Sequence, residues 1–229
     1  MLWLPIVGIS VGLLFPSPNF GPHQQQSVKP GINKEYQGEV DARDYEQQFE
    51  SEGREAYAKR DNILQALEIR PGDEVADIGT GTGLFVPLFA KAVGKEGRVF
   101  AVDIADEFVE HVRTKARRLG LTNVEAVLCT DRSVNLPPES IDLAFLCDVY
   151  HHFEFPKDSL ASIRAALRPG GRLVIIDYER VPGKSPAWRL NHIRAGKTAF
   201  SAEIEAAGFR KIKELDFLKD NYFLIFRRP

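Results

Sequence analysis

Val75-Ala76-Asp77-Ile78-Gly79-Thr80-Gly81-Thr82-Gly83 decides the fold of this chain: an apolar strand runs into a turn in which every second residue is glycine. The turn chemistry of Arg70-Pro71-Gly72-Asp73 precedes the strand, Glu74 to Ile78, and an apolar helix, Leu84 to Ala92, follows it. In open α/β sheets ligands bind beyond the carboxyl ends of the strands, near such a first strand-to-helix turn. Glycines there let the backbone approach a ligand that any Cβ would obstruct. A dinucleotide fingerprint places its third glycine at position 84, where this chain has Leu84. The spacing is therefore G-x-G-x-G, which argues against a cofactor whose pyrophosphate must seat on the helix N-terminus.

The strand–helix unit then repeats along the chain. Val99 to Val102 reads as a second strand, Asp106 to Arg118 as a helix stopped by Gly120, and Val124 to Leu128 as a third strand. Ile141 to Cys147 is a fourth strand, Pro156 to Leu167 a helix ended by Arg168-Pro169-Gly170-Gly171, and Leu173 to Ile176 a fifth strand. Short apolar strands alternating with helices predict a parallel sheet covered on both faces. After a helix around Phe200 to Ala207, strands near Ile212–Leu218 and Tyr222–Phe226 flank Asp220-Asn221, which reads as a tight hairpin. The expected fold is a doubly wound, mostly parallel seven-stranded α/β sheet of Rossmann-like type, with a C-terminal antiparallel hairpin. It occupies residues 71–229, after a helical extension or lid at 31–70 and a hydrophobic segment and linker at 1–30.

The chain has 229 residues, of which 44% are apolar and 27% charged, as in an ordinary soluble domain. Its formal net charge of −2 offers no general attraction for nucleic acid or an anionic membrane, and nucleic acid is not an expected partner. Cys129 and Cys147 lie at apolar strands and read as small core hydrophobes, and no metal site is expected. Leu2 to Phe15 is apolar but short of the roughly twenty residues a spanning helix needs. Its length suits a signal peptide at 1–17, yet no Lys or Arg precedes it and the first is Lys29. A signal peptide, a hydrophobic anchor and an over-extended start are all compatible with it. The expected location is cytoplasmic, with membrane association through residues 2–15 an option, and residues before about Gly31 are expected to lie outside the fold. Oligomeric state is not legible.

Asp103 ends the second strand about twenty residues beyond the glycine turn, where an acid can bind ribose hydroxyls. Together, Asp77-Ile78-Gly79-Thr80-Gly81-Thr82-Gly83, Asp103 and Leu167-Arg168-Pro169-Gly170-Gly171 resemble the class I S-adenosylmethionine-dependent methyltransferases. The resemblance covers roughly residues 55 to 180, and the closing hairpin extends it to the C-terminus. It implies S-adenosyl-L-methionine as cofactor, with Gly79, Gly81 and Gly83 beside its methionine part, Asp77 organising that loop and Asp103 gripping the ribose. It also implies an acid after the third strand for the adenine amine; Asp131 is the choice, with Thr130 the other residue that fits the register. Asp148, at the end of the fourth strand, is grouped with these cofactor residues.

That fourth strand runs into Tyr150-His151-His152-Phe153, beside the transferred methyl by the same resemblance. Imidazole titrates near neutrality, so His151 or His152 is the expected proton acceptor, with Tyr150 and Tyr178 shaping the pocket of a small-molecule methyl acceptor. A capping or packing role for one histidine is the alternative. Arg194 is a weaker candidate, either an acceptor clamp or a surface residue. Glu50-Ser51-Glu52-Gly53-Arg54 reads either as a lid over the cofactor or as a solvated helix face. The expected function is methyl transfer; a non-catalytic cofactor-binding protein of the same fold and a nucleotide-dependent oxidoreductase are the competing readings.

Overall fold

A computed structural model describes residues 23–36, 38 and 41–229 of the protein. The apolar run at 2–15, and with it the signal-peptide and anchor readings, lies outside the described residues. Seven strands form one sheet in the order β3-β2-β1-β4-β5-β7-β6. They are β1 (Glu74–Ile78), β2 (Arg98–Asp103), β3 (Val124–Leu128), β4 (Ile141–Cys147), β5 (Leu167–Tyr178), β6 (Arg210–Leu215) and β7 (Asn221–Arg227). β1 to β5 pair in parallel, while β7 lies antiparallel between β5 and β6. The order reverses at β1, which is flanked by β2 and β4, and the ends of these three strands frame the crevice where an open α/β sheet binds its ligand.

Apolar cores lie on both faces, one built around Ile78, Leu146, Ile175 and Phe200, the other around Phe89, Phe145, Val174 and Phe223. This two-sided burial explains why the central strands are continuous apolar runs rather than alternating ones. β6 closes one edge with Arg210, Lys211 and Lys213, charges that discourage pairing with another sheet. The helices are α1 (Ala42–Phe49), α2 (Glu55–Ala58), α3 (Arg60–Leu67), α4 (Val86–Val93), α5 (Asp106–Arg118), α6 (Pro156–Ala166), α7 (Ala187–His192) and α8 (Lys197–Ala206). α5 has Asp106 and Glu107 in its first turn and Lys115, Arg117 and Arg118 in its last, complementing the helix dipole.

Three sequence expectations change. The helical extension expected at 31–70 holds three short α-helices, because Ser51-Glu52-Gly53 leaves the helix and turns Arg54 inward. Asp220-Asn221 is not a tight hairpin: Leu215 already opposes Phe223, so the connection is longer. The Glu55 carboxylate organises it by accepting the backbone N–H groups of Lys219 (2.7 Å), Asp220 (2.8 Å) and Asn221 (3.2 Å). Finally, the folded part begins before Gly31. Gln24 donates its backbone N–H to Asp158 (3.0 Å), Ser27 its hydroxyl to Glu154 (2.7 Å) and Val28 its N–H to the Glu154 carbonyl (2.9 Å).

Candidate active site

A cavity of about 720 Å³ opens at the carboxyl ends of β1, β2 and β4, within the size range of small-molecule sites. One half is the glycine turn. Gly79, Gly81 and Gly83 have φ of 70°, 52° and 76°, the left-handed region that L side chains avoid. A Cβ on Gly79 would meet both Val149 methyls at 2.5 Å, and one on Gly83 would meet Val112 at 3.0 Å. These glycines are therefore required by backbone conformation and by packing against the β4 exit and α5. Val149, Phe49 and Val112 stand at the three Cβ positions, while Gly79 and Gly81 line the cavity.

Asp103 sits at the tip of β2 with its carboxylate on the cavity wall. It accepts the Gly81 N–H at 2.8 Å and the Ala105 N–H at 3.0 Å. An ionised carboxylate has about four acceptor positions, so room remains for two hydroxyl donors. Burial raises its pKa, and the backbone N–H groups of Ala105, Gly81 and Ile104 work against that rise. Asp77 lies beneath the turn and accepts the Thr80 hydroxyl at 2.8 Å. Burial, more than the opposing Thr80 bond, pushes its carboxyl up to about 7, with Asp103 adding to the rise. After β3, Thr130 spends its hydroxyl on the backbone N–H groups of Arg132 and Ser133. Asp131 lines the cavity with no such bond to its carboxylate among the described residues, which favours it over Thr130 as the acid facing the cavity.

Asp148 differs from its expected role. It lines the cavity, but Arg54 donates to Oδ2 from Nε (3.1 Å) and from its terminal nitrogen (2.8 Å), while Asn221 donates to Oδ1. Its carboxylate is thus occupied by the protein, and it stands at φ 58°, a conformation aspartate tolerates better than most residues. The bond to Arg54 fastens the segment after α1 over the glycine turn. There Phe49 lies 3.4 Å from the position of a Gly81 Cβ and joins Tyr36, Tyr45 and Phe108 in an aromatic roof. Glu50 accepts the Thr82 hydroxyl (2.8 Å) and Lys115 Nζ (2.8 Å). This segment, through Gln48, Phe49, Ser51 and Arg54, lines the cavity rather than forming a solvated helix face.

The other half of the cavity carries the histidines. Tyr150, His151 and His152 form a 3₁₀ turn after β4. His151 is 2% exposed; its backbone N–H and Nδ1 go to the two oxygens of Asp177, at 3.0 and 2.7 Å, at the end of β5. Nε2 makes no hydrogen bond among the described residues. His152 is held neutral: burial, with His151, His192 and Lys29 nearby, lowers its pKa to about 2. His192, from the end of α7, completes a trio, its Nε2 3.4 Å from His152 Nε2. The sequence reading missed His192 as a partner, because the distance between positions 152 and 192 conceals a contact made only by the fold.

Tyr150 does not shape the acceptor pocket, which is a second correction. It is wholly buried, and its hydroxyl donates to Glu203 at 3.0 Å on the far side of the turn. Arg194 is likewise spent on Glu203, with bonds of 2.7 and 2.6 Å, and does not line the cavity. Tyr178 does line it, edge-on to Trp188 at 5.5 Å between ring centres. Cys129 and Cys147 are free thiols on the cavity wall, and burial pushes Cys129 up to about 12, so neither is a ready nucleophile.

Comparison with known proteins agrees with this geometry. Residues 76–175 match the family model described as "Methyltransferase domain". The chain is 40% identical over 113 residues to an uncharacterised 37.1 kDa protein in a transposon of Streptomyces fradiae, covering 49% of this chain and 32% of that one. It is 32% identical over 121 residues to a ubiquinone/menaquinone biosynthesis C-methyltransferase of Hydrogenovibrio crunogenus, covering 52% of this chain and 48% of that one. The chain therefore spans less than half the length of either curated relative. Among solved structures, a SAM-dependent methyltransferase from Aquifex aeolicus superposes with a TM-score of 0.73 at 24% identity, over 83% of this chain and all of that one.

Proposed function

We propose that this chain is a class I S-adenosylmethionine-dependent methyltransferase and that it methylates a small, flat, largely apolar molecule bearing an acidic proton. The observation that carries the proposal is one cavity with two chemically distinct halves: the Asp103 turn under an aromatic roof, and the His151–Asp177 pair beyond it.

The residues present fit the cofactor. S-adenosylmethionine brings a methyl group already activated on a sulfonium, so the protein's task is alignment and exclusion of water. Asp103 takes the ribose hydroxyls, Asp131 the adenine amine, and the turn from Gly79 to Gly83, organised by Asp77, the amino acid end. Among the described residues, the carboxyl residues on the wall, Glu35, Asp77, Asp103, Asp131, Asp148 and Glu154, face one arginine, Arg54, which Asp148 already neutralises. Such a wall attracts a cationic donor and repels phosphorylated or nucleic-acid acceptors. Tyr36, Phe153, Tyr178 and Trp188 line the acceptor side and suit a planar ring. The Hydrogenovibrio relative, a ubiquinone/menaquinone biosynthesis C-methyltransferase, supports an acceptor of that kind.

His151 is the residue that meets the acceptor's acidic atom. Asp177 holds the proton on Nδ1, which turns the lone pair of Nε2 outward and steadies positive charge on the ring. His152, with its pKa near 2, is a poor proton acceptor. Calorimetric titration of S-adenosylmethionine, S-adenosylhomocysteine and NAD tests the first half of the reading. Micromolar binding of both adenosyl ligands, lost in Asp103→Ala, is expected. Preference for NAD, or silence toward all three, would overturn it.

A further inference from the structure

His151, His152 and His192 each present a ring nitrogen within 4.8 Å of one from each of the other two, at the acceptor end of the cavity. From this convergence we infer that the three histidines bind a divalent transition metal, of the zinc or cobalt class, with one coordination position open to the cavity for an acceptor oxygen. The inference deepens the proposed function, since it takes the same cavity as the acceptor pocket.

Four observations support it. A tetrahedral metal with nitrogen ligands at about 2.0–2.1 Å holds them about 3.3 Å apart, and His152 Nε2 and His192 Nε2 already stand 3.4 Å apart. Imidazole is a preferred ligand for zinc, copper, iron and nickel, and three protein ligands with a fourth position free is the pattern of a reactive rather than a structural site. His151 hands its other nitrogen to Asp177 at 2.7 Å, the carboxylate support that orients metal-bound histidines. His152 Nδ1 is buried without a hydrogen-bond partner, so the ring is tied to little besides His192. Lone pairs crowded together in this way are poorly satisfied by one another, since a single shared proton serves only two of the rings.

The scaffold around the trio is firm. Asn33 donates to the His152 carbonyl at 3.0 Å, and Lys29 Nζ donates to the carbonyls of Asn191, at 2.8 Å, and His192, at the end of α7. The N-terminal strap thereby fixes His152 and His192 against each other. With a metal in place, the Nε2 lone pair of His151 is spent on coordination. The ion then holds the acceptor oxygen and makes its O–H more acidic, so that the proton leaves to solvent water and the oxygen stays bound as an anion.

The test titrates Co²⁺ alone into the full chain after stripping with a chelator. Saturation at one ion per chain is expected, with visible absorption bands of a low-coordinate cobalt site. His192→Ala should weaken Co²⁺ binding at least a hundredfold and Asp177→Asn at least tenfold, while both variants bind S-adenosylhomocysteine as the wild type does. Equal Co²⁺ affinity in wild type and His192→Ala, or none in a wild type that still binds S-adenosylhomocysteine, overturns the metal site and leaves the methyltransferase reading standing. Histidine-dependent Co²⁺ binding without adenosyl binding would support the metal site and bring down the methyltransferase reading instead.

Discussion

Asp77 shows how one buried carboxyl links the glycine turn to stability. The unfolded chain releases this proton near about pH 4, the folded protein near pH 7. Between these values the folded state holds more protons than the unfolded one, so its stability falls as pH rises through the window. Asp77→Asn keeps an acceptor for Thr80 and removes the titration. In urea unfolding, the variant should gain on the wild type between pH 4.5 and pH 8; a difference independent of pH would reject this account. At the other end of the cavity, His151→Ala should reduce kcat by about 10²–10⁴-fold and leave the dissociation constant of S-adenosylhomocysteine unchanged. Retained turnover would remove His151 from the reaction.

At the scale of elements, the segment from α1 to α2 is held over the site by a few bonds. The Arg54 side chain is 19% exposed and the Asp148 side chain 7%, so their ion pair is only weakly screened. Removing Arg54 strands the Asp148 carboxylate with Asn221 alone. Arg54→Ala should lower stability by about 2 kcal/mol and weaken S-adenosylmethionine binding about tenfold, because the aromatic roof of Tyr45 and Phe49 loosens with it. Unchanged cofactor affinity would mean the segment does not act as a lid. Asp148 also carries a left-handed backbone, which asparagine tolerates and alanine does not. Asp148→Asn should therefore unfold at higher temperature than Asp148→Ala; the reverse order would reject backbone conformation as the reason for the residue there.

Across the whole molecule, the strap of residues 24–33 ties the N-terminal side to α6 and α7 through Asp158, Glu154 and the end carbonyls of α7. Arg132 joins the same knot, donating to the Gln24 carbonyl and to Asp158. A chain starting at residue 38 should melt several degrees below one starting at residue 23, each kcal/mol being worth about 2–4 °C at this size. It should also lose most of its turnover, because Asn33 and Lys29 no longer brace the histidines. Equal melting temperatures would show that the strap only rests on the surface. No helix among the described residues is long and apolar enough to cross a membrane.

The sheet, the glycine turn and the position of Asp103 at the tip of β2 were legible in the sequence because local patterns encode them. Period and length mark the strands, positive φ at Gly79, Gly81 and Gly83 requires glycine, and Asp103 follows at a fixed distance along the chain. The acceptor half was only partly legible. His151 and His152 stand out at the exit of β4, but Asp177 and His192 reach them only through the pairing of β5 beside β4 and the docking of α7. Tyr150 and Arg194 carry no local mark of direction; Glu203, on α8, draws both into the far core. Asp148 likewise reads as a site acid until Arg54 and Asn221 occupy its oxygens. Residue type and spacing along the chain therefore determined the strands and the turn. Tertiary packing decided which polar atoms remained free to do chemistry, since a side chain's partners come from whichever elements the fold sets against it.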